Sequence, residues 1–125
     1  LEQKYAKYLF ECEAIETGYQ LIRDAIVFTN VRILFVDKQA TTSKRTSFKS
    51  IYLMNIVDVE METAGFGFDD SEITITYLKN IKIKAHAESL EMRKFEFPKT
   101  IDILPLYKYL EALALNNRKE INVGE

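Results

Sequence analysis

The chain has 125 residues, 47% apolar and 29% charged, which suits one globular domain around a single core and argues against a two-domain enzyme. Seventeen Lys and Arg against nineteen Asp and Glu leave a formal net charge of -2, so no overall positive field draws the chain to nucleic acid or anionic lipid. Four Gly and two Pro against eight Phe and seven Tyr favour regular, well-packed structure over disorder.

The start, Leu1-Glu2-Gln3-Lys4, lacks the positive-then-apolar order of a secretory signal. The first residue is not Met, which leaves room for residues upstream of Leu1. No run approaches the roughly 18 to 20 apolar residues of a membrane-spanning helix. Tyr5, Tyr8, Leu9 and Cys12 recur at three- and four-residue spacings, which predicts a short amphipathic helix over 1–12 acting as a lid. Cys12 is the only cysteine, so neither an internal disulfide nor a cysteine-based metal site can form, and a reducing compartment fits. On the helical stripe it reads as a small hydrophobe.

From about Glu13 to Phe97 the helical period gives way to β-branched and aromatic residues broken by short polar clusters. Seven strands are expected, over 13–22, 25–29, 32–38, 45–52, 55–63, 72–86 and 91–97, with Lys79-Asn80 bending or bulging the long sixth one. Arg23-Asp24 leaves space only for a tight hairpin, and Asn30 suits the reversal at Asn30-Val31, so the first three strands form a meander. Gly65, Gly67, Asp69 and Asp70 mark the loop between the fifth and sixth strands. After Pro98 the helical period returns, with Ile103, Leu106, Tyr107, Leu110, Leu113 and Ala114 on one stripe. Asp102 is the expected N-cap, which places Pro105 in the first turn, where its missing N–H costs nothing. The chain thus divides into an N-terminal helix over 1–12, a β-rich domain over 13–116 and a polar, frayed tail over 117–125.

Strand patterning separates core from surface. Val57, Val59 and Met61 alternate with Asp58, Glu60 and Glu62; Ile73, Ile75 and Tyr77 share a face, as do Phe95 and Phe97. The second and third strands are different, because Ala25-Ile26-Val27-Phe28 and Ile33-Leu34-Phe35-Val36 are apolar on both faces. If Arg32 points outward, Leu34 and Val36 do too, and either the N-terminal helix or another copy of the chain has to cover them. The expected self-association surface is Leu34 and Val36 with Arg32 and Val27.

No residue set has catalytic spacing, and no cofactor or metal is implied. His86 has no nucleophile or orienting carboxylate attached to it by a motif and reads as a solvated loop-edge residue. Asp58, Glu60 and Glu62 lie about 7 Å apart along a strand, too far to share one cation, and read as a solvated stripe paired across strands with Lys82 and Lys84. Gly65-Phe66-Gly67 is followed by no helix to bind phosphate. Lys38, Lys44, Arg45 and Lys49 flank one turn and are the candidate contact for an anion or a membrane surface. They lack the interleaved aromatics that nucleic acid would need.

The order of seven strands and a C-terminal amphipathic helix resembles a pleckstrin-homology-like barrel. Leu21-Ile22-Arg23-Asp24, Val27-Phe28-Thr29-Asn30-Val31-Arg32, Val36-Asp37-Lys38-Gln39 and Glu62-Thr63-Ala64-Gly65 resemble stretches of the bacterial pleckstrin-homology (PH) domain family, over roughly residues 13 to 115. Ser43 stands where a glycine, and Tyr52 where a proline, would be usual, and residues 79 to 92 exceed the expected hairpin. The resemblance implies a mainly β fold: a seven-stranded antiparallel barrel capped by the C-terminal helix, in a small intracellular bacterial module that forms ring-like homo-oligomers through strand edges. In eukaryotic relatives a roomy basic loop between the first two strands holds a lipid headgroup; here that loop is Arg23-Asp24, and the usual lipid site is expected to be missing. The functional expectation is a non-enzymatic, cytoplasmic scaffold or docking module that assembles with cyclic, head-to-tail symmetry and accepts partner segments by strand addition. The alternative is a peripheral membrane adaptor using the basic turn.

Overall fold

The computed structural model describes residues 2–21, 25–37, 46–63 and 70–123. Seven antiparallel strands form two sheets, followed by a long helix, as the sequence led us to expect. The chain divides into two compact units, Leu1–Leu53 and Met54–Glu125. No helix among the described residues is long and apolar enough to cross a membrane.

The first unit opens with α1, which is only Glu2–Ala6. The predicted twelve-residue helix stops after one turn and a half, and a series of turns carries the chain to β1. So short a helix cannot hold itself and depends on its packing. A four-stranded meander follows in the order β1 (Ile15–Gln20), β2 (Ala25–Thr29), β3 (Arg32–Asp37) and β4 (Ser47–Tyr52). All five residues of β2 are buried, as are Arg32 to Val36 of β3, which matches strands that are apolar on both faces. Thr29 ties the β2–β3 turn together by accepting the backbone N–H groups of Val31 and Arg32 at 3.1 and 3.0 Å.

The second unit, entered by a 3-10 turn at Leu53–Asn55, is a three-stranded meander of β5 (Ile56–Glu62), β6 (Ser71–Leu78) and β7 (Leu90–Phe97), with α2 (Leu104–Ile121) packed on β5. Ile56, Val59, Ile73, Ile75, Phe95 and Phe97 are buried. The register slips between Ile56 and Asp58, and this bulge sets Ile56 opposite Tyr77 and buries it, while Val57, expected on the core face with Val59 and Met61, is only half-buried. β6 ends at Leu78 and does not run on to residue 86. Asn80 closes the excursion that follows by donating Nδ2 to the Ala87 carbonyl and accepting the Ser89 N–H, both at 2.9 Å. Asn55 braces its base, donating Nδ2 to the Leu78 carbonyl at 2.7 Å.

α2 begins one residue later than expected. Ile103 occupies the N-cap, Asp102 Oδ1 accepts the Leu104 N–H at 3.1 Å, and Pro105 still falls in the first turn. The expected frayed tail is helical to Ile121. Asn117 is buried and donates to the Ile56 carbonyl at 2.7 Å, while Arg118 Nε donates to the Val57 carbonyl at 2.6 Å. The β5 bulge turns those two carbonyls out of the ladder, and the polar end of α2 satisfies them.

Candidate functional site

Two surfaces carry the residues of interest, one on each unit. On the first sheet, parity places Arg32, Leu34 and Val36 on one face, next to Ala25 and Val27 of β2, as the sequence predicts. The cover is the chain's own N-terminus. Tyr5 is fully buried on this strip, with Ile15 and Phe48 packed around it, and its hydroxyl donates to the Ala25 carbonyl at 3.1 Å. Leu34 and Val36 are 2% and 5% exposed. The expectation that Leu34, Val36, Arg32 and Val27 form an interface between copies is therefore corrected: the single chain already hides them, and the apolar excess gives no reason for assembly.

Arg32 does not point to solvent either. Its Nε and Nη2 donate to Oε2 and Oε1 of Glu13 at 2.8 and 3.0 Å, its Nη2 also donates to the Tyr8 carbonyl at 2.8 Å, and its Nη1 donates to Ser50 Oγ at 2.9 Å. The guanidinium lies 4.3 Å from the centre of the Phe10 ring. Glu13 further accepts the Thr29 hydroxyl at 2.6 Å and the Phe10 N–H at 3.0 Å. Burial alone would push the Glu13 carboxyl up, but hydrogen bonds from Arg32, Thr29 and the Phe10 N–H, together with the guanidinium charge, outweigh it and hold the group at about 2. Glu13, Arg32 and Tyr5 thus form a clamp that fastens residues 5–14 to the sheet. Sequence reasoning missed its polar half, because Glu13 and Arg32 are nineteen residues apart and meet only through the β1–β2–β3 meander. Cys12, expected on a buried stripe, is exposed, because the helix ends before reaching it.

Lys38, Lys44 and Arg45 of the basic turn lie outside the described residues. Lys49 sits half-buried on β4, opposite Phe35. His86 is exposed on the excursion after β6.

On the second unit the outer face of the sheet carries the expected acidic stripe, exposed at Asp58, Glu60 and Glu62. Its cation differs from the prediction: the register sets Lys94 of β7 opposite Thr74, and Lys94 Nζ lies 3.2 Å from Glu72. Lys84 instead donates to the Val123 carbonyl, since residues 79–89 are not strand. A shallow cleft of about 420 Å³ between β5 and α2 is lined by Val57, Asp58, Glu111, Ala112, Leu115 and Arg118. Two of its polar side chains serve the fold, Arg118 holding Val57 and Glu111 accepting the Tyr107 hydroxyl at 3.2 Å. β7 offers more. It is an edge of its sheet, with Leu90 52% and Met92 65% exposed on its outer face. On the other face Tyr77 donates its hydroxyl to Glu91; burial first, and then Glu91, pushes the phenol up to about 12.

Two sheets of four and three antiparallel strands and a C-terminal helix define the PH-like class. The model of the family described as Bacterial PH domain matches residues 1–114, and the chain belongs to that family. The chain is 34% identical over 115 residues to the uncharacterised protein YjqA of Bacillus subtilis (strain 168), covering 92% of this chain and 86% of the relative. Two crystal structures are similar. The pleckstrin homology domain from Shewanella amazonensis SB2B has a TM-score of 0.62 at 29% identity, covering 91% of this chain and 95% of that one. A DUF1696 family protein with a pleckstrin-homology domain from Shewanella loihica PV-4 has a TM-score of 0.64 at 26% identity, covering 90% and 89%.

Proposed function

We propose that this chain is a non-enzymatic docking module that works as a homo-oligomer, using the edge of the second sheet to engage other protein. What supports the reading is β7: an eight-residue edge strand with two large apolar side chains on its outer face. Folded proteins usually blunt such an edge by shortening, bulging or covering it, and an edge left long and apolar is suited to strand addition. The N-terminal clamp bears on the choice of surface, since it already covers the Leu34–Val36 strip of the first sheet, while Leu90 and Met92 of β7 stay exposed. Light scattering after size exclusion tests the proposal. An assembly at micromolar concentration is expected, and a monomer throughout that range overturns it.

A further inference from the structure

We infer that the excursion between β6 and β7, residues 79–89, is a contact for an anionic lipid surface, with Ile81 entering the acyl boundary and Lys79, Lys82 and Lys84 meeting the phosphates. Ile81 is 98% exposed, more than any other large apolar side chain among the described residues. Isolated apolar side chains are common on protein surfaces, and what sets this one apart is the frame that holds it out. The Lys79 N–H donates to the Ser89 carbonyl at 2.8 Å and closes the base of the excursion, while Asn80 bonds Ala87 and Ser89 across it. Asn55 also donates to the Asn80 carbonyl at 3.3 Å, and a turn closes from the Ala85 N–H to the Lys82 carbonyl at 3.2 Å. Ile81 stands between the pinned Asn80 and that turn, so folding it inward would break these bonds. Ile83, two residues on, is half-buried and supplies the apolar packing of the excursion.

The charges around the tip have one sign. Lys79, Lys82, Lys84 and His86 are exposed, and Glu88 is the one carboxylate of residues 79–89. Lys84 Nζ donates to the Val123 carbonyl at 2.6 Å, which joins the excursion to the end of α2, where Lys119 adds a further exposed cation. Three carboxylates, Glu62, Glu72 and Glu96, stand side by side at the opposite end of the sheet, the length of the eight-residue β6 away. Although the whole chain carries -2, an anionic plane therefore attracts the loop end of the second unit and repels the far end. An aliphatic tip ringed by lysines suits a bilayer, since the side chain enters hydrocarbon while the ammonium groups stay among the headgroups. An acidic protein face would pair the lysines but needs a separate pocket for Ile81; a bilayer supplies both. The contact uses residues other than the basic turn singled out in the sequence, and it holds for a monomer or an assembly alike.

The chain has no tryptophan, so Ile81→Trp places a single indole at the tip, on a position with no packing to lose. With vesicles of equal parts phosphatidylserine and phosphatidylcholine at low salt, its emission is expected to shift to the blue and to be quenched by lipids brominated on the acyl chain. Vesicles of phosphatidylcholine alone should produce neither change. In co-sedimentation with the anionic vesicles, Ile81→Ser is expected to lower the apparent affinity of the wild-type chain by about tenfold. Lys79→Ala and Lys82→Ala should each lower it by about fivefold, and added salt should weaken binding throughout. An indole that stays in water while the protein sediments with the vesicles places the contact elsewhere and overturns the inference, as does a wild-type chain that fails to sediment. A blue shift with soluble polyglutamate and none with vesicles would assign the tip to an acidic polypeptide and overturn the lipid contact.

Discussion

Arg32 shows how one charged residue in an apolar strand can serve structure. Its guanidinium is desolvated, and that cost is met by hydrogen bonds in good geometry to Glu13, which is bidentate, to Ser50 and to the Tyr8 carbonyl, with the Phe10 ring stacked over it. Removing one partner leaves the other buried alone, so Arg32→Met is expected to destabilise the protein by about 3 kcal/mol in urea denaturation, well beyond a surface pair. The carboxyl of Glu13 lies below its ordinary 4.5, so its ionised form favours the folded state. That contribution is complete above about pH 4.5 and is lost as pH falls toward about 2. Stability measured across this window should fall steeply in wild type and less steeply in Glu13→Gln. Equal slopes would contradict the assignment.

Among the elements, α2 shows a split between apolar and polar anchoring. Leu106, Leu110 and Ala114 supply the buried stripe that the helical period announced. The last turns, Asn117 to Ile121, are polar and were expected to fray, yet they are helical because Asn117 and Arg118 satisfy carbonyls released by the β5 bulge. Replacing Asn117 by Ala leaves the Ile56 carbonyl buried without its donor and should cost about 1–3 kcal/mol. Amide exchange in the last two turns of α2 should accelerate in the same variant, while β6 keeps its protection. Unchanged exchange at the helix end would mean that the apolar stripe alone holds it. No period in the sequence marks a bulge, since a bulge is defined by what lies on the neighbouring strand.

For the molecule as a whole, the N-terminal segment decides which apolar surface is available. Tyr5 sits on Val27, Leu34 and Val36, and the Glu13–Arg32 pair fixes the segment that brings it there. Deleting residues 1–14 should expose this strip, so the shortened chain is expected to bind a hydrophobic dye and to aggregate. Unaltered dye binding and solubility would show that the clamp is dispensable.

Much was legible from residues alone. The seven strands, the meander of β1 to β3, the parity of Arg32, Leu34 and Val36, and the apolar stripe of α2 all follow from periods of two and 3.6, which are properties of the backbone itself. The excess of apolar surface on β2 and β3 was equally plain, and so was the need for a cover. Which body supplies that cover is not a local property. A nearby helix and a second copy satisfy the same hydrophobic demand, and only the folded chain shows Tyr5 seated there with Glu13 locked to Arg32. The sequence by itself determined where the strands run and which faces are apolar; tertiary structure alone decided what those faces meet, because contacts between residues far apart in the chain depend on how the elements pack.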